Sequence, residues 1–304
     1  METPTPCAQP PVGRFAPSPT GPLHLGSLVT ALASYLNIKS VGGRWLVRME
    51  DIDGPRCVAG ASDEILRCLE TFGLHWDGEL ICQSERNSLY EQYWESLQRS
   101  KRIYPCTCPR HRIRLLPNGY DKHCLKHPAD TSQPHAWRFI TETSELAFND
   151  ELLGNQHFTL DDFIVKRKDK RFAYQFVVVV DDIEQGITEV VRGADLLDST
   201  PRQMALFHFF SRANPKWFHL PLVPVDRDNR AYDPAHPIKL SKQHGAKAIS
   251  LNGVQQTLVK ALRLLGQNPP QDIVDCSSET ILSWAIKHWN LQAVPKQEYY
   301  NSQA

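Results

Sequence analysis

No run of eighteen consecutive apolar residues occurs in the 304-residue chain, so the sequence offers no candidate for a membrane-spanning helix. Neither sign of charge is in excess. With 34 Lys and Arg against 34 Asp and Glu, nucleic-acid binding cannot be argued from overall electrostatics. Met1 to Pro11 is rich in Pro and Thr but lacks the basic and apolar blocks of a secretory leader, and reads as a loose arm. The eight cysteines also lack the spacing of a disulfide framework. Cys7, Cys57, Cys68, Cys82 and Cys276 are scattered singly, as suits a reducing compartment, so a cytoplasmic location is expected.

What is present suits an enzyme. With 41% apolar residues the chain can build one large domain with an insert, or two modest domains. Charge is uneven locally: residues 99–128 carry eight Lys and Arg against one acid, Asp121. A second basic cluster is Lys166-Arg167-Lys168-Asp169-Lys170-Arg171. Either segment fits a solvated loop or a surface facing a polyanion.

The apolar pattern predicts a doubly wound α/β core. Val12 to Phe15 reads as a buried strand, Leu23 to Ile38 as a helix, and Arg44 to Met49 as the next strand. Ser62 to Phe72 places Ile65, Leu66, Leu69 and Phe72 at helical spacing before Gly73, and Leu89 to Leu97 continues the helical pattern. Tyr104 to Pro134 is irregular. The unbroken apolar run Phe172 to Val180, ending in Asp181-Asp182, predicts a central parallel strand covered on both faces. Thr200-Pro201 caps a helix through Phe210, and Val254 to Leu265 and Glu279 to Trp289 read as amphipathic helices. In such sheets ligands sit beyond the carboxyl ends of the strands, at the crossover point, and Arg14 and Asp181 are both expected there.

One stretch is more telling than the rest. Arg14-Phe15-Ala16-Pro17-Ser18-Pro19-Thr20-Gly21-Pro22-Leu23-His24-Leu25-Gly26-Ser27 reads as a strand end, a tight turn, and a helix opening at His24. That order aims the helix N-terminus, with its N–H groups and positive dipole end, at whatever fills the turn. Gly26 lets a flat ligand approach the backbone, and His24 supplies a donor for phosphate oxygens. Far downstream, Lys239-Leu240-Ser241-Lys242 gives two cations and a hydroxyl, with Gly245 close behind. A nucleotide phosphate site split between the two ends of the chain is the natural reading.

Three cysteines are clustered. Cys106-Thr107-Cys108 is followed after eleven residues by Tyr120 and after three more by Cys124. Two thiols one residue apart can converge on one ion, and zinc takes four ligands in a tetrahedron. Spacing leaves the fourth ligand among His111, His123, His127 and Tyr120, and favours a histidine, because a neutral phenol is a poor ligand with a pKa of about 10.

The Arg14–Ser27 stretch and Lys239-Leu240-Ser241-Lys242 resemble the two signature motifs of class I aminoacyl-tRNA synthetases, the first in its glutamyl form. Ser27 stands where the generic motif has a second histidine, and Gln243 also departs from the pattern after the lysine loop. The Cys106, Cys108, Tyr120, Cys124 pattern resembles the zinc insert of the glutamyl-queuosine tRNA(Asp) synthetases, in which tyrosine is a ligand. The resemblance runs from Val12 to about Trp289. It implies a Rossmann-type doubly wound parallel sheet with a structural zinc, one per chain, and ATP as substrate, with Mg2+ accompanying it. L-glutamate would be held by Arg14, Phe15, Ala16, Pro17, Ser18, Glu50, Tyr174 and Arg192. ATP would be held by Pro17, His24, Gly26, Ser27, Lys239, Ser241 and Lys242, with His24 and Lys242 catalytic. Asp182, Asp195 and Gln203 rank second.

Only 62 residues follow Lys242, too few for a large helical anticodon-binding domain. The family lacking that domain glutamylates the queuosine base of tRNA(Asp), which is therefore the expected partner, with the protein acting as a monomer away from membranes. A minimal glutamyl-tRNA synthetase charging a tRNA 3′ end, and a non-catalytic glutamate- or RNA-binding relative, are the alternatives. The expected organisation is an arm at 1–11, core halves at 12–103 and 137–248, a zinc insert at 104–136, and C-terminal helices at 249–304.

Overall fold

A computed structural model describes residues 9–116, 119–224 and 247–297. Lys239, Ser241, Lys242, Gln243 and Gly245 lie outside the described residues, as do Cys7 and most of the expected N-terminal arm. The chain begins with β1 (Val12–Phe15), α1 (Leu25–Lys39), β2 (Arg44–Met49), α2 (Ala61–Thr71), β3 (Ile81–Cys82) and α3 (Asn87–Arg99). A second region follows: β4 (Ile103–Cys106), α4 (Arg110–Arg114), α5 (His123–Lys126), β5 (Ala136–Phe139), β6 (Glu145–Asp150), β7 (Gly154–Thr159) and β8 (Phe163–Lys166). The core resumes with α6 (Tyr174–Glu184), β9 (Glu189–Gly193), α7 (Thr200–Phe209) and β10 (Lys216–Leu220), and then α8 (Val254–Leu264) and α9 (Ser278–His288).

Five parallel strands form the main sheet in the order β10-β9-β1-β2-β3. From β1 the chain winds one way through β2 and β3, then returns to lay β9 and β10 on the other side. The direction reverses between β1 and β9, which makes the carboxyl ends of β1, β2 and β9 the switch point of a doubly wound sheet. The second region forms a separate antiparallel sheet, β4-β5-β8, and a β6-β7 hairpin.

Alternation along the strands decides which side chains meet. Phe15, Trp45, Val47, Met49, Val191, Phe218 and Leu220 share one core cluster with Leu28, Leu32 and Leu36 of α1 and with residues of α8 and α9. Leu46, Val190 and Trp217, of opposite parity, enter a second cluster with α3, α6 and α7. Arg14, Arg48 and Arg192 have this second parity, so three guanidiniums are delivered to the α6 face of the sheet.

The Phe172–Val180 run is a helix rather than the expected central strand. Tyr174–Glu184 is α-helical, and Phe176 through Asp182 are all buried. Four consecutive valines favour a strand locally, but α6 packs against α3, α7 and β8 and is covered all round. Continuous apolar sequence is as compatible with a buried helix as with a buried strand. Asp181 consequently lies in the last turns of α6 and not at a strand end. The α7 start is also shifted: Ser199 is the N-cap, and Thr200 is the first helical residue with its hydroxyl engaged elsewhere.

Candidate active site at the sheet switch point

The loop leaving β1 is tied to the end of β2, because the Glu50 backbone N–H donates to the Pro17 carbonyl at 2.9 Å. Ser18, Glu50 and Tyr174 line one cleft. Arg14 is buried behind it, with Nε 3.2 Å from Asp182 Oδ1 and Nη2 3.4 Å from Asp182 Oδ2. Phe15 is turned to the opposite face of the sheet, its ring stacked on Trp45 at 6.4 Å.

Arg48 was not singled out by sequence reasoning, although a charged residue inside an apolar strand is a signal in itself. It is fully buried, with Nη2 2.8 Å from Asp182 Oδ1 and 3.5 Å from Glu50 Oε1, and Nε 3.7 Å from Asp181. Asp181 also accepts hydrogen bonds from Gln83, Arg86 and Tyr90. Asp181 and Asp182 thus anchor α6 to β1, β2 and α3. Burial pushes the Asp182 carboxyl up, but the Arg14 and Arg48 guanidiniums outweigh it and hold the group below its ordinary range.

Glu50 has the opposite balance. Its Oε1 is buried and accepts no hydrogen bond among the described residues. Burial pushes the Glu50 carboxyl up to about 7, and Arg48 and Arg14 offset only part of that rise. Apart from the Arg48 guanidinium at 3.5 Å, Oε1 has no partner among the described residues, and such a carboxylate can receive a ligand cation.

Arg192, at the carboxyl end of β9, is buried and held by three neutral acceptors. Its Nε donates to His219 Nε2 at 3.0 Å, Nη1 to Gln203 Oε1 at 2.8 Å, and Nη2 to Thr200 Oγ1 at 2.7 Å. Its guanidinium also lies 4.9 Å from the Trp217 ring centroid. Burial lowers its pKa. His219 Nδ1 faces Asp150 Oδ2 at 2.6 Å, which places the ring proton on Nδ1 and leaves Nε2 to accept from Arg192. Burial, the largest influence on His219, holds its pKa down and keeps it neutral. The guanidinium is oriented without direct carboxylate contact among the described residues, which suits it to an anionic ligand. Gln203 is therefore a positioning neighbour of Arg192, and Asp182 one of Arg14. Asp195 follows β9, its carboxylate close to Gly193.

At the turn after β1, His24 is the N-cap of α1, and its Nδ1 accepts the Ser27 backbone N–H at 3.2 Å. The neutral ring then carries its proton on Nε2, which lies 3.2 Å from Ser27 Oγ. Gly26 packs so closely that a Cβ there would come within 3.2 Å of the His24 ring.

In the second region the sulfurs of Cys106, Cys108 and Cys124 lie within 4.8 Å of one another. The Tyr120 hydroxyl is 3.5 Å from Cys106 Sγ and 3.7 Å from Cys108 Sγ, and it accepts the Cys124 backbone N–H at 2.9 Å. The histidine favoured by spacing alone does not join them. The rings of His123 and His127 stack on each other at 4.7 Å, and neither they nor His111 belong to the cluster. Three convergent thiols form a donor set compatible with zinc.

Residues 12–280 match the family model described as tRNA synthetases class I (E and Q), catalytic domain. A glutamyl-Q tRNA(Asp) synthetase of Serratia proteamaculans is 45% identical over 291 residues, covering 94% of this chain and 93% of that protein. The protein of that name from Escherichia coli (strain K12) is 44% identical over 297 residues, covering 96% and 92%. Among solved structures, glutamate-tRNA synthetase from Elizabethkingia anophelis matches with a TM-score of 0.74 at 26% identity, over 95% of this chain and 67% of that one. Glutamate tRNA ligase from Elizabethkingia meningosepticum, in complex with its amino acid, matches with a TM-score of 0.74 at 25% identity, over 97% and 68%.

Proposed function

The chain belongs to the class I tRNA synthetases of the E and Q type, and from that premise we propose that it activates L-glutamate with ATP and transfers it to the queuosine base in the anticodon of tRNA(Asp). The observation that carries the amino-acid choice is the pairing of a donor-poor buried carboxylate, Glu50, with a buried guanidinium held by neutral groups, Arg192. Glutamate brings one ammonium and two carboxylates. Glu50 receives the ammonium; Arg192 and Arg14 receive carboxylates, with Ser18 and Tyr174 adding hydroxyl donors and the Phe15–Pro17 backbone forming the wall.

Chemistry then needs alignment more than covalent participation. An α-carboxylate oxygen of glutamate attacks the α-phosphorus of ATP, and the bond to the bridging oxygen breaks to release pyrophosphate. His24, Gly26 and Ser27 at the α1 N-terminus hold phosphate oxygens, and Lys239, Ser241 and Lys242 complete the site, with Lys242 neutralising the leaving pyrophosphate. A hydroxyl of the queuosine base next attacks the activated carbonyl carbon, loses its proton, and displaces AMP. Cys106, Cys108 and Cys124, with Tyr120 as fourth ligand, would hold a zinc ion that closes the second region structurally and takes no part in either step.

The acceptor reading is supported by relatives at about 45% identity that share the chain's length and carry that activity in their names. A tRNA 3′ end is the acceptor suggested by the solved structures, at 25–26% identity. ATP-dependent labelling of tRNA with glutamate separates the two. Label is expected on tRNA(Asp) containing queuosine, on the anticodon fragment after nuclease cleavage rather than on the 3′ end. Labelling of queuosine-free tRNA that periodate abolishes would overturn the reading.

A further inference from the structure

A groove of about 590 Å3 runs beside the site, between α3, the segment 131–137, and the basic turn that follows β8. Its wall contains Lys166, Arg167, Lys168 and Lys170, and no carboxylate. Lys166 is paired with Glu91 and Arg167 with Asp53 and Asp169, so the turn offers Lys168 and Lys170 as its cations without a carboxylate partner among the described residues. The Arg167 N–H donates to the Arg171 carbonyl at 2.7 Å, Lys166 bridges to Phe172, and Lys170 sits at φ 67° at the tip. Lys168 Nζ donates to the Thr107 carbonyl at 3.0 Å, which fixes the turn to the loop between two of the clustered cysteines. Lys170 makes no ion pair among the described residues.

The floor is aromatic. Trp137 is half-buried and packs edge-on against Trp94 at 5.6 Å and against His135 at 5.4 Å. The volume falls in the range of about 300–1,000 Å3 that encloses a small organic ligand. Cations around an accessible indole suit a nucleotide, whose phosphate meets the charges while its base stacks on the ring. An acidic protein would satisfy the cations but leave the indole unused, and a duplex keeps its bases stacked on each other.

Arg167 lines this groove and also the cleft that contains Ser18, Glu50 and Tyr174. We propose that the groove binds a single-stranded RNA segment, stacking one nucleobase on Trp137 and carrying its phosphates past Lys170 and Lys168 to the Arg167 junction with the active site. The proposal rests on the RNA-acceptor reading above and adds where the strand flanking the acceptor base lies.

Fluorescence anisotropy with a fluorescein-labelled seven-nucleotide single-stranded RNA, and with a duplex of the same length, tests it. The parent should prefer the single strand. Trp137→Ala should weaken that binding roughly fivefold to a hundredfold, and Trp137→Phe should restore most of it, as expected for one stacked base. Lys170→Ala should lower the slope of log affinity against log salt by about 0.7, the value for one phosphate contact on a single strand. Thermal unfolding of each variant reports folding independently. Equal affinity for strand and duplex, or unchanged binding in Trp137→Ala and Lys170→Ala, would overturn the groove while leaving glutamate transfer to tRNA(Asp) untouched. Conversely, strand binding lost in these variants, in a protein that labels no tRNA, would sustain the groove and sink the acceptor reading.

Discussion

His219 accepts a hydrogen bond from Arg192 at Nε2, 3.0 Å away, because its Nδ1 proton is committed to Asp150 at 2.6 Å. The carboxylate that fixes the tautomer is thereby kept one residue away from the guanidinium. Were Asp150 to touch Arg192 directly, it would neutralise the charge that glutamate needs. His219→Ala should therefore raise the KM for glutamate about tenfold in ATP–pyrophosphate exchange, the effect of losing one charge-assisted hydrogen bond of roughly 1.5 kcal/mol. Arg192→Ala should raise it further and admit amino acids with neutral side chains. An unchanged glutamate KM in both variants would remove this pair from the pocket.

Glu50 gives the site a pH dependence. Its carboxyl is raised by burial to about 7 in the free protein, and a bound ammonium favours the ionised form. Below that pH, glutamate must displace a proton, so affinity falls as pH drops through 7 and levels off above it. Isothermal titration should find binding about tenfold weaker at pH 6 than at pH 8. Glu50→Gln should bind weakly at both and flatten the profile.

Activation should proceed without RNA, because the residues proposed to hold glutamate all lie on or directly after β1, β2 and β9 or at the start of α6. Glutamate-dependent ATP–pyrophosphate exchange is expected in the absence of tRNA. Lys242→Ala should slow it by about two orders of magnitude, as for loss of one preorganised oxyanion stabiliser. Exchange that requires tRNA would contradict this assembly, and a normal rate in Lys242→Ala would exclude that side chain.

Purified protein should contain about one zinc per chain. Cys124→Ser should lose the metal and increase hydrogen exchange across residues 104–128, because ligation and local folding are coupled. His127→Ala and His123→Ala should keep full content, and Tyr120→Phe should reduce it. Metal analysis showing the reverse pattern would return the fourth position to a histidine.

Arg48 is predicted to matter for stability before chemistry. Its fully buried guanidinium faces Asp181, Asp182 and Glu50. Arg48→Met should cost roughly 3–5 kcal/mol, since removing one partner leaves buried carboxylates uncompensated. Urea unfolding measures this, and a loss under 1 kcal/mol would mean the network relaxes without it.

Local elements whose signal is short-range are legible in the residues alone. The turn between Arg14 and Ser27, the strand Arg44–Met49, the helix after Ser62, and the clustered Cys106, Cys108 and Cys124 all follow from spacing and from turn and thiol chemistry over a few residues. Long-range packing sets the remainder. Phe176–Val180 became helical because its surroundings bury it on every side, and burial erases the periodicity by which strand and helix are told apart. Beside the thiols lies the Tyr120 hydroxyl, 3.5 Å from Cys106 Sγ, while His123 and His127 stack on each other, an arrangement that spacing alone does not reveal. Arg48, His219 and Asp150 were invisible as a set. Arg48 finds Asp182 on α6 and His219 finds Asp150 on β6, 69 residues back in the chain, and only the packing of that helix and hairpin against the parallel sheet brings these partners together.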